Sequence, residues 1–282
     1  MPTVGMARVA GTILDVAVPP ASRRMAGVSM AGFRGRAEDF LSLQVVPYPA
    51  CTVFIDLGDA ELVDDASGAR KRGSIVVGMT PGRVRGGGRD IDLVQVRLSP
   101  VVAHAVLGAH AESATTVVGL EDLWGRDAER TREQLHAAKS WDDRFAVMAA
   151  ALARRQGTGR AVDPEIAFVW GEMLRSMGRV RVDRLATEVG WSRRRLWSRF
   201  RSQVGLTPKR AAMLIRFDQV AHRLAAGHSA ARVAAEHGYV DQSHLSRDVL
   251  AFAGMTPTAV AVAPWLVVDD LAWSAQEQAL RG

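Results

Sequence analysis

Residues 182–208, VDRLATEVGWSRRRLWSRFRSQVGLTP, and residues 231–257, ARVAAEHGYVDQSHLSRDVLAFAGMTP, are two copies of one pattern. Each carries a short alanine-containing helix, then Gly followed by an aromatic residue, then a second short helix, then Gly-x-Thr-Pro. Ala186, Glu188 and Gly190 recur 48 residues later as Ala234, Glu236 and Gly238. Leu196, Gly205, Thr207 and Pro208 recur 49 residues later as Leu245, Gly254, Thr256 and Pro257, so one residue is inserted before the second helix. Such an internal repeat is read before anything else, because missing it misreads the fold. The repeated unit is a helix-turn-helix, which sets its second helix into the DNA major groove.

Each copy separates an apolar side from a polar one. In the first, Val182, Leu185, Ala186 and Val189 form the stripe of the supporting helix, Gly190 allows the sharp turn, and Ser192 caps the second helix. Leu196 and Phe200 point inward. Arg194, Trp197, Ser198 and Arg201 lie on the other side, and Arg193, Arg195 and Arg199 widen the basic surface. Arginine grips guanine O6 and N7 bidentately or pairs with phosphate. The bland alternative is a solvated basic helix, which a repeated helix-turn-helix makes less favourable. In the second copy Val233, Ala234, Leu245, Val249 and Phe252 point inward, Gly238 makes the turn and Asp241 is the cap. Gln242, Ser243, Ser246 and Arg247 lie outward, where Gln reads adenine and Arg reads guanine or holds phosphate. His244 has no partner at metal-ligand spacing and reads first as a surface or packing residue. Between the copies, KRAAMLIRFDQVAHRLAAG places Met213, Leu214, Phe217, Val220 and Leu224 at helical spacing, a beam that starts after Pro208 and ends at Gly227.

Charge is concentrated on this region. The chain of 282 residues carries a formal charge of +6. Residues 179–223 hold 12 Lys/Arg against three acids, whereas residues 121–143 hold seven acids against four basic residues. A basic stripe on one unit is the electrostatic footprint of a nucleic-acid binder. The length suggests about two domains. Cys51 is the single cysteine, so neither an internal disulfide nor a Cys-rich zinc site can form. The opening MPTVGMARVAGTILDV is a poor signal peptide. No stretch reaches roughly 18 apolar residues without a charge or breaker, which argues against a membrane span. These features suit a soluble, cytoplasmic protein.

Residues 1–40 are punctuated by Pro19-Pro20 and glycines and are hard to place; Arg8, Arg23, Arg24, Arg34 and Arg36 read as surface charges. Residues 41–98 read as β structure in LSLQVVPYP, CTVFIDLGD, GSIVVGMT and IDLVQVRLSP, with turns at Asp64 to Gly73 and Pro81 to Asp90. Within the second turn RVRGGGRD reads as a flexible basic loop. It lacks the spacing and the GKT or GKS ending of a phosphate-binding loop. Strands of this kind close into a barrel or pack on a second sheet, and a small barrel can enclose a ligand. No histidine precedes His104, and His104 and His110 follow the last expected strand, so no metal site is expected there. Cys51 reads as a small buried hydrophobe rather than a nucleophile. Ser99-Pro100 opens a helix, DAERTREQLHAA at 127–138 is helical, and 141–155 is an amphipathic helix with Phe145, Met148 and Leu152 on one stripe. That stripe could serve as a dimer seam or pack on its own sheet. The expected organisation is a sensor or dimerisation domain at 1–155, a linker at 156–162, a DNA-binding domain at 163–260 and a tail at 261–282. Asp163-Pro164-Glu165 should open the first helix of the DNA-binding domain and Gly178 should close it. In the tail, Trp265, Leu266, Val267, Leu271 and Trp273 must pack somewhere, because two exposed tryptophans would make an apolar patch.

LATEVGWSRRRLWSRFRSQVGLTPKRA followed by AARVAAEHGYVDQSHLSRDVLAFAGMTP resembles the DNA-binding domain of the AraC/XylS family of transcription regulators over residues 163–260. The stretch GYVDQSHLSRDVLAFAGMTP is the most specific part. The resemblance implies two helix-turn-helix units, joined by a long helix, that insert into successive major grooves of double-stranded DNA. It puts base-reading positions at Arg194, Trp197 and Ser198 and at Gln242, Ser243, Ser246 and Arg247. Trp197 departs from the polar residue usual there, and Asp248-Val249 departs from the family's pattern next to it. The N-terminal portion is similar to the cupin-like sensor domains of some actinobacterial members, chiefly through VQVRLSPVVAHAVLG and GLEDLWG. That implies an α+β protein with an antiparallel, barrel-like N-terminal domain, dimerisation through it, and in some members a small-molecule effector. Without barrel histidines, such an effector would be held without a metal, and no cofactor is implied.

Two other functions compete. An enzyme using the domain for targeting would need a catalytic cluster in residues 1–155, and no nucleophile-base-acid set, HExxH or paired-Cys motif occurs there. An interaction protein with a degenerate DNA-binding domain finds its support in Trp197 and the sparsely charged second unit.

Overall fold

The computed structural model describes residues 1–65, 68–80, 82, 84–108 and 117–273; His110 lies outside the described residues. The chain begins with strands β1 (Thr3–Val9), β2 (Thr12–Val18) and β3 (Val28–Val45). Next come β4 (Cys51–Asp56), β5 (Glu61–Asp64), β6 (Arg70–Arg72), β7 (Ser74–Val77) and β8 (Val84–Leu98), with a short β9 (Val117–Gly119) after the first helix. Every pairing is antiparallel, in the order β1-β2-β3-β8-β4-β7-β9, with β5 bridging β6 and β8. The expected antiparallel, sheet-rich N-terminal region is present.

Strands occupy three places where the sequence suggested none. Residues 1–40 supply β1, β2 and most of β3. The β1–β2 hairpin turns through Ala10 and Gly11, both at positive φ, and not through the Asn-Gly pair that advertises such a turn. RVRGGGRD is not a loop: residues 84–90 are the first half of β8, paired to β3 and β5. Its glycines are there for close approach. A Cβ on Gly87 would lie 1.8 Å from the Leu41 carbonyl oxygen, and one on Gly86 would lie 2.8 Å from Leu62 Cδ2. Opposite them β3 shifts register between Arg36 and Leu41, a bulge that bends the sheet. The turn expected at 64–73 likewise contains β6.

The two faces of the sheet follow the period of two. Val94, Val96 and Leu98 of β8, with Val53 and Ile55 of β4, enter the core shared with the helices. Ile91, Leu93, Gln95 and Arg97 point to the opposite, concave side.

The helices against the first face are α1 (Pro100–Leu107), α2 (Leu120–Trp124), α3 (Arg126–Ala137) and α4 (Trp141–Thr158). Ser99 caps α1, its hydroxyl accepting from the Val102 N–H. Phe145, Met148 and Leu152 are completely buried in this chain, so the α4 stripe packs on its own domain. Trp141 lies over Gly32 of β3, where a Cβ would come within 2.1 Å of the ring. Arg144 is held on the Asp92 carboxylate at 2.5 and 3.1 Å, which pins α4 to β8. Because α4 runs to Thr158, the first three residues of the expected linker are its last turn.

The C-terminal bundle comprises α5 (Pro164–Arg175), α6 (Val182–Glu188), α7 (Arg193–Val204), α8 (Pro208–Ala225), α9 (Ala230–Glu236), α10 (Gln242–Ala253), α11 (Pro257–Ala261) and α12 (Pro264–Ala272). One continuous buried cluster runs from α1 (Val102, Val106) through α5 (Ile166, Trp170) to α7 (Leu196, Phe200). The two halves of the chain therefore share apolar packing. No single helix among the described residues is long and apolar enough to cross a membrane.

Candidate nucleic-acid interface

The two repeat units become α6–α7 and α9–α10, and the same local chemistry builds both. Ser192 begins α7 by accepting from the Arg195 N–H at 3.2 Å, and Asp241 begins α10 by accepting from the His244 N–H at 2.7 Å. Gly190 and Gly238 make the turns with φ of 66° and 72°, and Gly205 and Gly254 end α7 and α10 in left-handed conformations. Thr207 and Thr256 then cap α8 and α11, which explains the repeated Gly-x-Thr-Pro. The inward residues Leu196, Phe200, Leu245, Val249 and Phe252 are all buried. Between the units α8 spans 18 residues, roughly 27 Å at 1.5 Å per residue. Leu214, Phe217, Val220 and Leu224 fix its buried side, and Phe217 stacks on Phe252 of α10 at 5.2 Å between ring centroids.

On α7, Arg193, Arg194, Trp197, Ser198, Arg199 and Arg201 are all exposed. On α10, Gln242, Ser243 and Arg247 are exposed and Ser246 is half-buried. The exposed arginines nonetheless differ. Arg194 has no ion-pair or hydrogen-bond partner among the described residues. Arg201 lies over the Trp197 ring at 5.3 Å, so the unexpected aromatic supports a cation beside it. Arg193 is held by Asp183 at 2.8 Å. Arg199 makes a bidentate pair with Asp163, both bonds 2.7 Å. That pairing holds the Asp163 carboxyl below the usual carboxylate range and raises the Arg199 guanidinium further. Asp163 sits at the expected start of α5, yet its side chain makes no cap; it faces Arg199 instead. Five residues on from Arg194, Arg199 points about 140° round the helix from it, at 3.6 residues per turn.

In the second unit an exposed ion-pair cluster joins α8 to α9. Glu236 accepts from Arg232 and Arg223, and these bonds pull its pKa down to about 2. Burial lowers the pKa of His237 and pushes the Tyr239 hydroxyl up to about 12. His244 packs edge-on to Tyr239 at 5.2 Å, in keeping with a packing role.

Residues 185–261 match the family described as "Helix-turn-helix domain". The C-terminal region is an AraC-type helix-turn-helix domain. No curated protein matches the chain by sequence. Among solved structures, the chain is similar to ToxT from Vibrio cholerae O395, at 12% identity over 86% of this chain and 98% of that one, with a TM-score of 0.47. ToxT from V. cholerae strain SCE256 bound to an unsaturated fatty acid gives 12% identity over 85% and 96%, TM-score 0.45. The AraC-like transcriptional activator CuxR gives 14% over 78% and 83%, TM-score 0.33.

The N-terminal region meets the AraC-type domain at the far ends of α7 and α10. The Gln44 amide of β3 donates to the Ala253 carbonyl at the last turn of α10, at 2.6 Å. Pro47, Thr80 and Gly82 lie with Gly205 and Phe252 around a cleft at the C-terminal ends of both helices. The N-terminal turns, which carry Arg194 and Gln242, are left open.

The tail forms a second contact that sequence reasoning left unplaced. Trp273, at the end of α12, is buried in the concave side of the sheet with Val16, Phe33 and Ile91. The Arg97 guanidinium lies over the Tyr48 ring at 3.8 Å and the Trp273 ring at 4.2 Å, and donates to Asp269 at 2.6 Å. Burial works against its charge, but Asp269 and Tyr48 outweigh that and its pKa is raised. Next to this cluster is a cavity of about 190 Å³, lined mainly by apolar side chains, with Arg97, Asp56 and Glu61 among the polar ones. Arg97 carried no signal in the sequence beyond being a charge in an apolar strand. Cys51 is buried on the opposite side and burial pushes its thiol up to about 12, so it is poorly suited to be a nucleophile. Among the described residues no group of His, Cys, Asp and Glu is placed to hold a metal.

Proposed function

We propose that this chain is a sequence-specific transcription regulator in which α7 and α10 read two successive major grooves and the N-terminal sheet houses the regulatory site. The observation that carries this reading is the pairing of two capped helices across α8, each with an open polar N-terminal half. Arg194, Trp197, Ser198 and Arg201 serve the first groove; Gln242, Ser243, Ser246 and Arg247 serve the second. Arg193 and Arg199 act chiefly within the protein, through Asp183 and Asp163. The groove repeat is about 34–36 Å. A beam of roughly 27 Å plus the width of the flanking units is compatible with it. One chain then contacts an asymmetric site with two elements about one turn apart. If the N-terminal domain also dimerises, two such sites occur together. The concave cavity is the place where a small molecule would act on the domain, and no catalytic step belongs to this reading.

Selection of a binding sequence from random DNA with the full chain, followed by footprinting, tests it. Protection of two adjacent grooves is expected, with protection of one of them abolished in Gln242→Ala/Arg247→Ala. Binding to the selected sequence no stronger than to scrambled DNA at physiological salt, with cell-extract metabolites present, would end the proposal.

A further inference from the structure

We propose that the cavity takes a small neutral molecule carrying one hydrogen-bond acceptor, and that α12 is the latch this molecule tightens. The proposal rests on the regulator reading above and adds the ligand class and the moving part. Four residues of the cavity wall, Trp265, Val268, Asp269 and Trp273, come from α12 and its end, whereas the rest come from the sheet and its turns. A guest therefore touches both at once and favours the docked state of α12, by the differential contact that every population shift requires.

Size and charge set the ligand class. A cavity of about 190 Å³ is somewhat larger than the ~150 Å³ apolar cavities that accept benzene. A single substituted ring fits that space. The Arg97 side chain is more than nine-tenths buried, and its Nε and Nη1 make no hydrogen bond among the described residues. They are donors for one acceptor on the guest. Asp269 already neutralises the Arg97 charge, and Glu61 is satisfied by Arg70 and Arg72 at 2.8 and 3.0 Å. An anion would therefore meet the carboxylates of Asp56 and Asp269 without a cation left to balance it.

The latch reaches the DNA-binding machinery by two routes. Asp269 Oδ2 lies 3.7 Å from His222 Nε2 on α8, the helix that sets the separation of the two units. Through the chain, α12 follows α11, which packs on α8 and α10.

The test uses the full chain and three probes of similar shape: acetophenone, ethylbenzene and benzoate. Acetophenone is expected to bind at least about five-fold tighter than ethylbenzene, through the Arg97 donors, and tighter than benzoate. At saturation it should slow amide hydrogen exchange across residues 264–273 several-fold. Asp269→Asn uncovers the Arg97 charge and should invert the order, so that benzoate binds better than acetophenone. Preference for benzoate in the unaltered chain, or unchanged α12 exchange at saturating acetophenone, overturns the proposal even if Asp269→Asn fails to fold. The exchange measurement needs no DNA, so failure of the latch is distinct from failure of the regulator reading, which the footprint decides.

Discussion

Arg194→Ala and Arg199→Ala remove the same charge from the same helix, five residues apart, and should behave differently. Arg194 is exposed and has no partner among the described residues, so its guanidinium is available to a base edge. A bidentate base contact contributes about 1–3 kcal/mol of discrimination, or roughly 5- to 150-fold in affinity for the selected sequence. Arg199 is committed to Asp163 by two bonds of 2.7 Å and points about 140° away round the helix. Exposed pairs of this kind contribute about 0–1 kcal/mol to stability. Arg199→Ala should therefore leave specific affinity within about two-fold and barely move the melting temperature. Asp163→Asn, which frees Arg199 without deleting it, should be equally silent towards DNA. The assay is a mobility-shift titration of selected and random duplexes at several salt concentrations. Removing a side chain that neutralises one phosphate flattens the log–log salt dependence by about 0.9. The reasoning fails if Arg199→Ala costs as much as Arg194→Ala on the selected site and flattens the salt slope. Equal decreases on selected and random DNA for Arg194→Ala would move that residue from base reading to the phosphate backbone.

Gly87→Ala should destabilise the chain by about 1–3 kcal/mol or more in chemical denaturation, since its Cβ meets a backbone carbonyl that cannot rotate away. Gly157→Ala, in the last turn of α4 with open space around it, should instead stabilise by about 0.4–1 kcal/mol. Burial raises the Asp56 carboxyl from 3.8 to about 6, a shift worth on the order of 1–3 kcal/mol. Because the folded value is the higher one, the favourable contribution is complete below the unfolded pKa and is lost as pH rises through about 6. Asp56→Asn should accordingly stabilise the protein near pH 7 and flatten its stability profile between about pH 4 and 6; no gain at pH 7 in urea unfolding would contradict the assignment.

The DNA-binding half was legible because its chemistry is local. Caps at Ser192 and Asp241, turns at Gly190 and Gly238, and the buried stripe of α8 each depend on residues within one or two helical turns. What lay hidden depends on distance in sequence. The glycines at 86–88 read as flexibility until Leu41 and Leu62, far away in the chain, are seen pressed against them. Arg97 looked like an ordinary interruption of an apolar strand; its meaning comes from Asp269 and Trp273, which are contributed by the tail. In the sequence Arg199 reads as part of a widened basic surface and Asp163 as the opening of a helix, and neither local reading registers that the two side chains meet.

The placement of the contacts decides what kind of control this architecture permits. The N-terminal region touches α7 and α10 at their C-terminal ends and leaves the N-terminal turns open, so it does not cover the reading surface. On the proposed reading, its influence passes through the relative position of the two units. Gln44 lines the cavity and also holds the last turn of α10, while Asp269 stands between Arg97 on the sheet and His222 on α8. Both connections end on the second unit or on the beam. The first unit packs on α1 directly and through α5, whereas α10 joins the same apolar core through α8, α9 and α11. On the proposed reading, the two connections through Gln44 and Asp269 tie occupancy of the cavity to the position of α10 relative to α7, the quantity that sets whether two grooves one turn apart are engaged by a single chain.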